Sequence, residues 1–397
     1  MAKVITLPHD QKGILSVTSL DYSRLGEADK RVLEELRESW VLLYHPNYYD
    51  YGFKNDCFDG FLALETIFAS EGDRRLVSNL NCHNFVPRSF YTGNCDPIFD
   101  FCHVTRVQPD KGVRQLVEVI RLTLAEFPEL RGVILISIPG KRPRETDRFR
   151  SWFASQIPRR FQDQIDLVSV DYGLPFPLSL RFVSGLYRQS RVNLNLAMRE
   201  KHGRAQTFAL ASAMPVVGFP NLSEIAAPEY RSAPIYFTSE SLRDLPSQLM
   251  AALESTTRPA DRAVREAYAP TWRVDRSMLR LQNYMNDMFG MEPWDWFGDS
   301  DLYIQTLAMH HDGAWGSNGY GVPIGRFLEF LQEEGPQKTS NTREFGRHAD
   351  YELTRDAENW LDSKLGMSWR VEAQAQQKWE RGVVSMKSVL KRALRRR

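Results

Sequence analysis

The sequence has little cysteine, almost no net charge and no long apolar run. Its four cysteines, Cys57, Cys82, Cys95 and Cys102, include no CxxC pair, which argues against a zinc site and favours free thiols in a reducing compartment. Lys and Arg number 51 against 50 Asp and Glu, so the chain is not a polycation shaped for nucleic acid. Residues 1–13 lack the apolar run of a signal peptide and no stretch reaches membrane-spanning length, so we expect a cytoplasmic protein.

What is present is the composition of a globular protein with sizeable cores. Hydrophobic residues make up 42% of the 397 residues, a length that suits two or three domains. From Phe99 to Leu253, short apolar runs alternate with helical patterns, which predicts a parallel sheet covered by helices. In residues 1–97 we expect a smaller α/β region. Its predicted strands are Ile14–Ser19, Trp40–Tyr44 and Leu76–Leu80, and its predicted helices are Leu25–Ser39 and Phe58–Ser70.

Residues 190–219 carry the clearest functional pattern. Two apolar runs, Val192–Ala197 and Pro215–Phe219, flank a polar elbow and a segment of helical composition. In such a βαβ unit, the loop after the first strand and the N-terminus of the helix form an anion site. Gly203 would let backbone N–H groups approach a phosphate, because it has no Cβ, and Glu200 would project toward sugar hydroxyls. An ordinary βαβ unit with a polar loop is the alternative.

This stretch resembles the signature of the family 4 (group 1) glycosyltransferases, which have the two-domain GT-B fold. The residues that match in register are Glu200, Gly203, Pro215, Val216 and Val217. Two positions depart from the signature: Phe208 stands where the family has a second Glu, and Ala213 stands where Gly is usual. In the family the second Glu typically holds the donor ribose. Because Phe208 replaces that Glu, the signature is degenerate at the ribose-binding position.

A second element resembles the same family. After the predicted strand Phe99–Val104, Arg106 and Lys111 flank a turn, as in the family's strand-Gly-Arg-Leu/Val-x-x-Lys-Gly element, with Thr105 in place of Gly. Two cations beside a helix N-terminus would neutralise a diphosphate and its charge as a leaving group. A solvated pair of loop cations is the alternative. The donor-binding residues that the resemblance implies are Arg106, Lys111, Tyr172, Glu200, Gly203 and Arg204, and the catalytic residues among them are Glu200, Arg106 and Lys111.

Further candidates lie outside these two elements. His45 in an aromatic stretch and His83 in a polar loop are candidate acceptor-binding residues, although we favour a core-capping turn for the first and a solvated loop for the second. The segment His310-His311-Asp312 could ligate a metal, but adjacent side chains seldom converge on one ion, so we expect no metal site.

The C-terminal residues 381–397 carry seven basic residues and no acid. Val383, Met386, Leu390 and Leu394 recur at helical spacing, which predicts a basic amphipathic helix suited to an anionic membrane surface. A frayed solvated terminus is the alternative, and RNA binding is a weaker third interpretation because no aromatic residue lies among the charges.

Together these features predict an α/β chain of GT-B type with two Rossmann-like domains. We expect an abridged acceptor-side domain in residues 1–97, a nucleotide-sugar-binding domain in 98–255, a closing helix in 256–290 and a mostly helical extension in 291–397. The resemblance implies transfer of a sugar from a nucleotide sugar to a glycan or lipid-linked acceptor, with retention of configuration and no cofactor. A non-catalytic partner subunit and a sugar-nucleotide epimerase of the same fold are the alternatives.

Overall fold

The structure is a computed structural model. It describes residues 2–18, 27–45, 57–63, 76–78, 86, 88–91, 96–139, 143–172, 180–198, 203–225, 230–294, 322, 324–334 and 349–366. The strands are β1 Ala2–Thr6, β2 Gly13–Thr18, β3 Trp40–His45, β4 Gly60–Ala63, β5 Leu76–Ser78, β6 Phe99–Arg106, β7 Gly132–Pro139, β8 Ile165–Tyr172, β9 Ser190–Asn195, β10 Val216–Gly218 and β11 Tyr236–Thr238. The α-helices are α1 Glu27–Leu36, α2 Val113–Glu126, α3 Pro143–Gln156, α4 Leu180–Arg188, α5 Arg204–Ala211, α6 Leu245–Thr257, α7 Pro259–Tyr268, α8 Val274–Phe289, α9 Ile324–Glu333 and α10 Ala349–Leu365.

The chain divides into two compact units. The first comprises Met1–Ser78, Tyr284–Tyr303 and Gly313–Arg397, and the second comprises Asn79–Asn283 and Ile304–Asp312. Helix α8 therefore begins in the second unit and ends in the first. The domain boundaries at residues 97, 255 and 290 stay predictions. Within the described residues, no helix is both long and apolar enough to cross a bilayer.

The sheet of the first unit runs in the order β1-β2-β3-β4-β5. Strand β1 is antiparallel to β2, and each later pair is parallel. In β3 the neighbours Val41, Leu42 and Leu43 are all buried, as expected for a parallel strand that is covered on both faces. The predicted strands near Ile14, Trp40 and Leu76 are confirmed, whereas β1 was not among them.

The helix predicted over Phe58–Ser70 is wrong in its first half. Gly60–Ala63 forms strand β4, which pairs with β3 and β5, and residues 64–70 lie outside the described part of the chain. Phe61 and Leu62 are both buried, so both faces of this strand are buried. A short apolar run of this kind has no alternation, and periodicity alone does not separate it from a buried helix.

The core of the first unit joins residues from both ends of the chain. Leu33 and Leu36 of α1 pack on Leu15 and Leu42 of the sheet, in agreement with the amphipathic pattern of the predicted helix Leu25–Ser39. Val322 and helices α9 and α10 complete the same cluster, to which the helices contribute Phe327, Leu328, Phe330, Leu331, Ala357 and Leu361. The helical residues near the C-terminus therefore belong to the core of the N-terminal sheet.

The sheet of the second unit is parallel throughout and runs in the order β11-β10-β9-β6-β7-β8. Its first strand, β6, neighbours its fourth, β9, and the order runs outward in both directions from that pair. This is the doubly wound arrangement of a Rossmann-like domain, whose topological switch point lies between the two central strands. The predicted fold class, an α/β chain with two Rossmann-like units, is confirmed: the second sheet is parallel throughout, and the first is parallel apart from β1.

Two helices stand where the sequence predicts a single closing helix. A short 3₁₀ segment, Ala269–Trp272, separates α7 from α8. Arg265 of α7 is buried and donates to the carbonyl oxygens of Ala213 and Pro234, each at 3.2 Å, and to Ser255 Oγ at 3.1 Å. Burial lowers the pKa of Arg265. The buried guanidinium thus fixes α7 to the ends of α5 and α6 by charge-assisted hydrogen bonds.

Candidate functional site

The candidate site lies at the switch point of the second sheet. In open α/β sheets, ligands bind at the carboxyl ends of the strands, where the strand order reverses. Here β6 ends at Arg106 and β9 ends at Asn195, so the loops that follow them frame this point. The predicted diphosphate residues Arg106 and Lys111 lie in and after the end of β6, and Gly203 and Arg204 follow β9. The fold therefore brings both signature elements to one edge of the sheet.

Gly112 allows the first loop to approach the end of β9. Its φ is 65° and its ψ is 30°, in the left-handed region that favours glycine. A Cβ added at this position would lie 2.0 Å from the carbonyl oxygen of Leu196, which is far inside van der Waals contact. Any larger residue at 112 would force the two loops apart.

Hydrogen bonds fix the two loops together. Met198 N–H donates to the carbonyl oxygen of Asp110 at 3.0 Å. Gln115 Nε2, in the first turn of α2, lies 3.6 Å from Met198 Sδ. Asn221, in the 3₁₀ turn after β10, donates to the carbonyl oxygen of Ala197 at 3.3 Å. The edge of the site is thus built from three loops of the sheet rather than from one.

Arg106 and Lys111 differ in their surroundings. The Arg106 side chain is half-buried and makes no ion pair with any residue in the described ranges. The Lys111 side chain is only 11% exposed, and its Nζ lies 3.6 Å from Asp110 Oδ2. Two cations at this edge would attract a diphosphate, and Lys111 already has a carboxylate beside it.

The N-terminus of α5 supplies the other half of the site. Gly203 is the buried N-cap, with an extended backbone, and its carbonyl oxygen accepts from Thr207 N at 3.0 Å and from Thr207 Oγ1 at 3.2 Å. The first N–H groups of a helix have no partner within the helix and favour an anion. Arg204 opens the helix, and its guanidinium lies 5.2 Å from the centre of the Phe208 ring.

Phe208 is a core residue. It is 6% exposed and stacks on Phe90, with ring centroids 4.0 Å apart and planes inclined by 20°. The edge of Tyr187 completes the contact at 6.1 Å. A Glu at this position would bury a carboxylate between aromatic rings, which is strongly unfavourable. The departure from the signature at 208 therefore places an aromatic core residue where the family has a carboxylate.

Ala213 occupies a glycine position at the end of α5. Its φ is 55°, and it is the one non-glycine residue with positive φ in the described chain. Ala213 N–H donates to the carbonyl oxygen of Leu210 at 3.0 Å, and Met214 N–H donates to that of Ala209 at 2.9 Å. These two bonds form a Schellman motif, whose left-handed residue is usually Gly. The second departure from the signature thus retains the backbone geometry that the usual Gly would adopt.

The buried polar groups near the switch point are structural. His103 Nδ1 donates to the carbonyl oxygen of Leu194 at 2.6 Å, which joins β6 to β9. Burial lowers the pKa of His103 to about 4, so the ring is neutral at physiological pH. Burial also raises the pKa of the Cys102 thiol to about 11, so Cys102 is not a thiolate nucleophile.

Several predicted residues lie wholly or in part outside the described residues. Glu200 and His83 lie outside the described residues, as do His310, His311, Asp312 and the basic C-terminal segment 381–397. Tyr172 ends β8 and His45 ends β3, but their side chains are outside the described part. In the described residues, no three His, Cys, Asp or Glu side chains converge as metal ligands would.

Asp110, Gly112 and Met198 frame the site but were not among the predicted site residues. The available signal was the Gly that directly follows Lys111, because a glycine between a strand and a helix often marks a close backbone approach. The contact between Asp110 and Met198 joins residues far apart in sequence, so the local sequence pattern does not predict it.

No protein-family model matches the sequence, and no curated protein sequence matches it. Among solved structures, the C-terminal domain of a group 1 family glycosyltransferase from Francisella tularensis is similar at 15% identity, over 46% of this chain and 93% of that one, with a TM-score of 0.35. The pneumococcal O-GlcNAc transferase GtfA, solved with UDP and GlcNAc, is similar at 18% identity over 66% of this chain and 55% of that one, with a TM-score of 0.46. A glycosyltransferase from Rickettsia africae is similar at 13% identity over 65% of this chain and 74% of that one, with a TM-score of 0.43.

These structures are all glycosyltransferases, and the match spans little more than half the length of the pneumococcal enzyme. Similarity at this level does not assign the chain to a family. The function proposed below therefore rests on the sheet topology and on the residues at its switch point.

Proposed function

We propose that the protein is a GT-B glycosyltransferase that moves a sugar from a nucleotide sugar to a glycan or lipid-linked acceptor. The proposal is supported by the loop that carries Arg106 and Lys111 and the loop that leads into α5, because they follow the two central strands of a doubly wound sheet and are joined by the hydrogen bond from Met198 N–H to the carbonyl oxygen of Asp110. Such an edge favours a phosphorylated nucleotide ligand. The residues also match two elements of the group 1 signature in the order that the family has them.

In this proposal, the chain accelerates transfer mainly by stabilising the departing diphosphate. Arg106 and Lys111 would neutralise the negative charge that grows on the leaving oxygen, and the N–H groups that open α5 would donate to it. Fixed donors and cations aimed at developing charge form the largest class of enzymatic rate effects. Glu200 would accept hydrogen bonds from sugar hydroxyls and so orient the donor. Retention of configuration and independence of metal and cofactor follow from the resemblance.

A panel of nucleotide sugars and nucleoside diphosphates, screened for thermal stabilisation, tests the donor class, because binding to the native state raises its stability. Calorimetry with the best ligand should then show at least about tenfold weaker binding for Lys111→Ala, since a hydrogen bond to a charged group is lost. Lys30→Ala is the matched control, because Lys30 pairs with Glu27 at 2.7 Å in the first unit. Equal affinity in wild type and Lys111→Ala would remove Lys111 from the site.

Phe208 favours a second candidate function, a partner subunit that keeps the fold without turnover. Its place in an aromatic core means that α5 presents no carboxylate from this position. Glu200→Gln separates the two candidates, because a carboxylate on sugar hydroxyls should matter for turnover and hardly affect binding of the bare diphosphate. Loss of sugar transfer in this variant supports the enzyme. Absence of turnover in wild type with every donor and a broad acceptor set supports the partner subunit.

We also propose that the basic segment 381–397 directs the protein to an anionic membrane surface. Each Lys or Arg near such a surface contributes about 1 kcal/mol, and salt weakens the attraction. Sedimentation with anionic vesicles at low salt, with and without Arg381–Arg397, tests this. Equal sedimentation of both proteins would contradict it.

A further inference from the structure

Asp110 lies in the candidate site with its backbone held in place. Its carbonyl oxygen accepts from Met198 N–H at 3.0 Å, and Gly112, two residues later, lies against the carbonyl oxygen of Leu196. These contacts keep residue 110 at the edge where the loops after β6 and β9 meet. Its side chain, in contrast, is 45% exposed, so the carboxylate remains accessible to solvent.

The Asp110 carboxylate stands beside the cation that the proposed function assigns to the diphosphate. Asp110 Oδ2 lies 3.6 Å from Lys111 Nζ, whose side chain is 11% exposed. Charge-assisted hydrogen bonds measure about 2.7–2.9 Å, so this pair attracts through space without a short hydrogen bond. A carboxylate oxygen carries the same sign of charge as a phosphate oxygen, so the two groups would compete for the same ammonium.

We propose that Asp110 acts as an internal competitor for the diphosphate. Before a diphosphate binds, the Asp110 carboxylate partly neutralises Lys111, and the bound diphosphate then pairs with that ammonium in its place. The carboxylate therefore lowers the affinity for the nucleoside diphosphate and favours its release after transfer. Arg106 has no ion pair among the described residues, so the competition concerns Lys111. This inference rests on the proposed function and makes Asp110 a positioning residue that acts through Lys111.

Isothermal calorimetry on the full chain, with inorganic pyrophosphate and uridine diphosphate as probes, tests the proposal. Asp110→Asn keeps the shape of the side chain and removes its charge. We expect it to bind both probes about fivefold more tightly at low salt, because the free energy of an exposed ion pair corresponds to about a fivefold change in affinity. The gain should be the same for both probes, because the competition involves the phosphates, and it should shrink at about 1 M salt, where the Debye length is roughly 3 Å.

Asp163→Asn is the matched control. Asp163 is exposed in the turn before β8, at the amino edge of the sheet and opposite the site, so the same change in net charge should leave affinity within about twofold. The second control repeats Asp110→Asn in a Lys111→Ala background. Without the ammonium the substitution should have no effect, whereas a merely structural role for Asp110 would persist.

The outcomes separate this inference from the proposed function. If wild type binds neither probe, both proposals fall. If wild type binds and Asp110→Asn binds equally or more weakly, the competitor role falls and the diphosphate site stands. A gain that persists in the Lys111→Ala background also overturns the competitor role, because the effect would not act through Lys111.

Discussion

The two sheets of this protein differ in the order of their strands, and that difference decides which one has a topological switch point. In the first unit the described strands follow one another from β1 to β5, with no reversal. In the second unit the order reverses between β6 and β9, so the helices that follow these two strands, α2 and α5, pack on opposite faces of the sheet while the loops that precede the helices meet at one edge. Parallel strands alone do not make a nucleotide site.

The units also differ in how far along the chain their cores reach. The second unit builds its sheet from strands that follow one another between residues 99 and 238. The first unit needs α9 and α10 to cover a sheet whose strands end at Ser78. Its stability therefore depends on contacts between residues about 300 positions apart in sequence. We expect the two units to respond differently to substitutions.

The largest effect is expected from Phe330→Ala in the first unit. Phe330 is fully buried and contacts Phe327 and Trp360, with ring centroids 6.3 and 5.9 Å away. Removing such a ring leaves a cavity and should lower the free energy of unfolding by about 3–5 kcal/mol. Hydrogen exchange should quicken in β2 and β3, which lie far from α9 in sequence. Unchanged exchange in those strands would show that the C-terminal helices do not support the N-terminal sheet.

A slightly smaller effect is expected from Gly112→Ala in the second unit. The left-handed backbone costs about 1–2 kcal/mol for a residue with a Cβ, and the clash with Leu196 adds about 1–3 kcal/mol. Binding of diphosphate should weaken as well, because the two loops must separate. Gly290→Ala is the matched control, since Gly290 has a φ of 64° but no atom within 4 Å of an added Cβ. Equal destabilisation by both variants would refute the close approach at Gly112.

Acid should destabilise the second unit through His103. The folded pKa of about 4 lies below the ordinary value of 6.5, so the unfolded chain binds the proton first as pH falls. The free energy of unfolding should therefore decrease from about pH 6.5 to pH 4, by up to about 3 kcal/mol. His103→Gln should reduce this dependence of the free energy of unfolding on pH, as measured by urea denaturation. The same substitution at His9, which is 58% exposed, should leave the dependence of the free energy of unfolding on pH as it is in wild type.

The smallest effect is expected from Ala213→Gly, and it is stabilising. Gly adopts the left-handed conformation of the Schellman motif without a steric penalty. The net gain should be about 1 kcal/mol, because the greater flexibility of Gly in the unfolded chain offsets part of the relief. Thermal unfolding checks it, with Ala209→Gly inside the same helix as a control that should destabilise. A loss of stability in Ala213→Gly would mean that the Ala213 methyl group contributes packing that the φ angle does not reveal.

Local patterns sufficed where one segment forms one element against its neighbours. The strands near Ile14, Trp40 and Phe99 and the helix predicted over Leu25–Ser39, which the structure has as Glu27–Leu36, follow from periodicity. They failed at Gly60–Ala63, because a strand buried on both faces has no alternation to reveal it. Local patterns also did not predict that α9 and α10 pack on the N-terminal sheet, because the apolar face of a helix does not indicate which element it packs against.

By itself the sequence determined that the chain is α/β, that a doubly wound unit begins near Phe99, and that a glycine elbow and a pair of cations follow strands of that unit. These properties depend on residue type and on short-range spacing. Only the tertiary structure decided that both elements meet at the switch point, that Gly112 and the Asp110–Met198 hydrogen bond hold them together, and that Phe208 packs with Phe90 and Tyr187 in one aromatic cluster. The reason is physical: strand order and packing partners depend on the free energy of contacts between distant residues, which no local window of the chain contains.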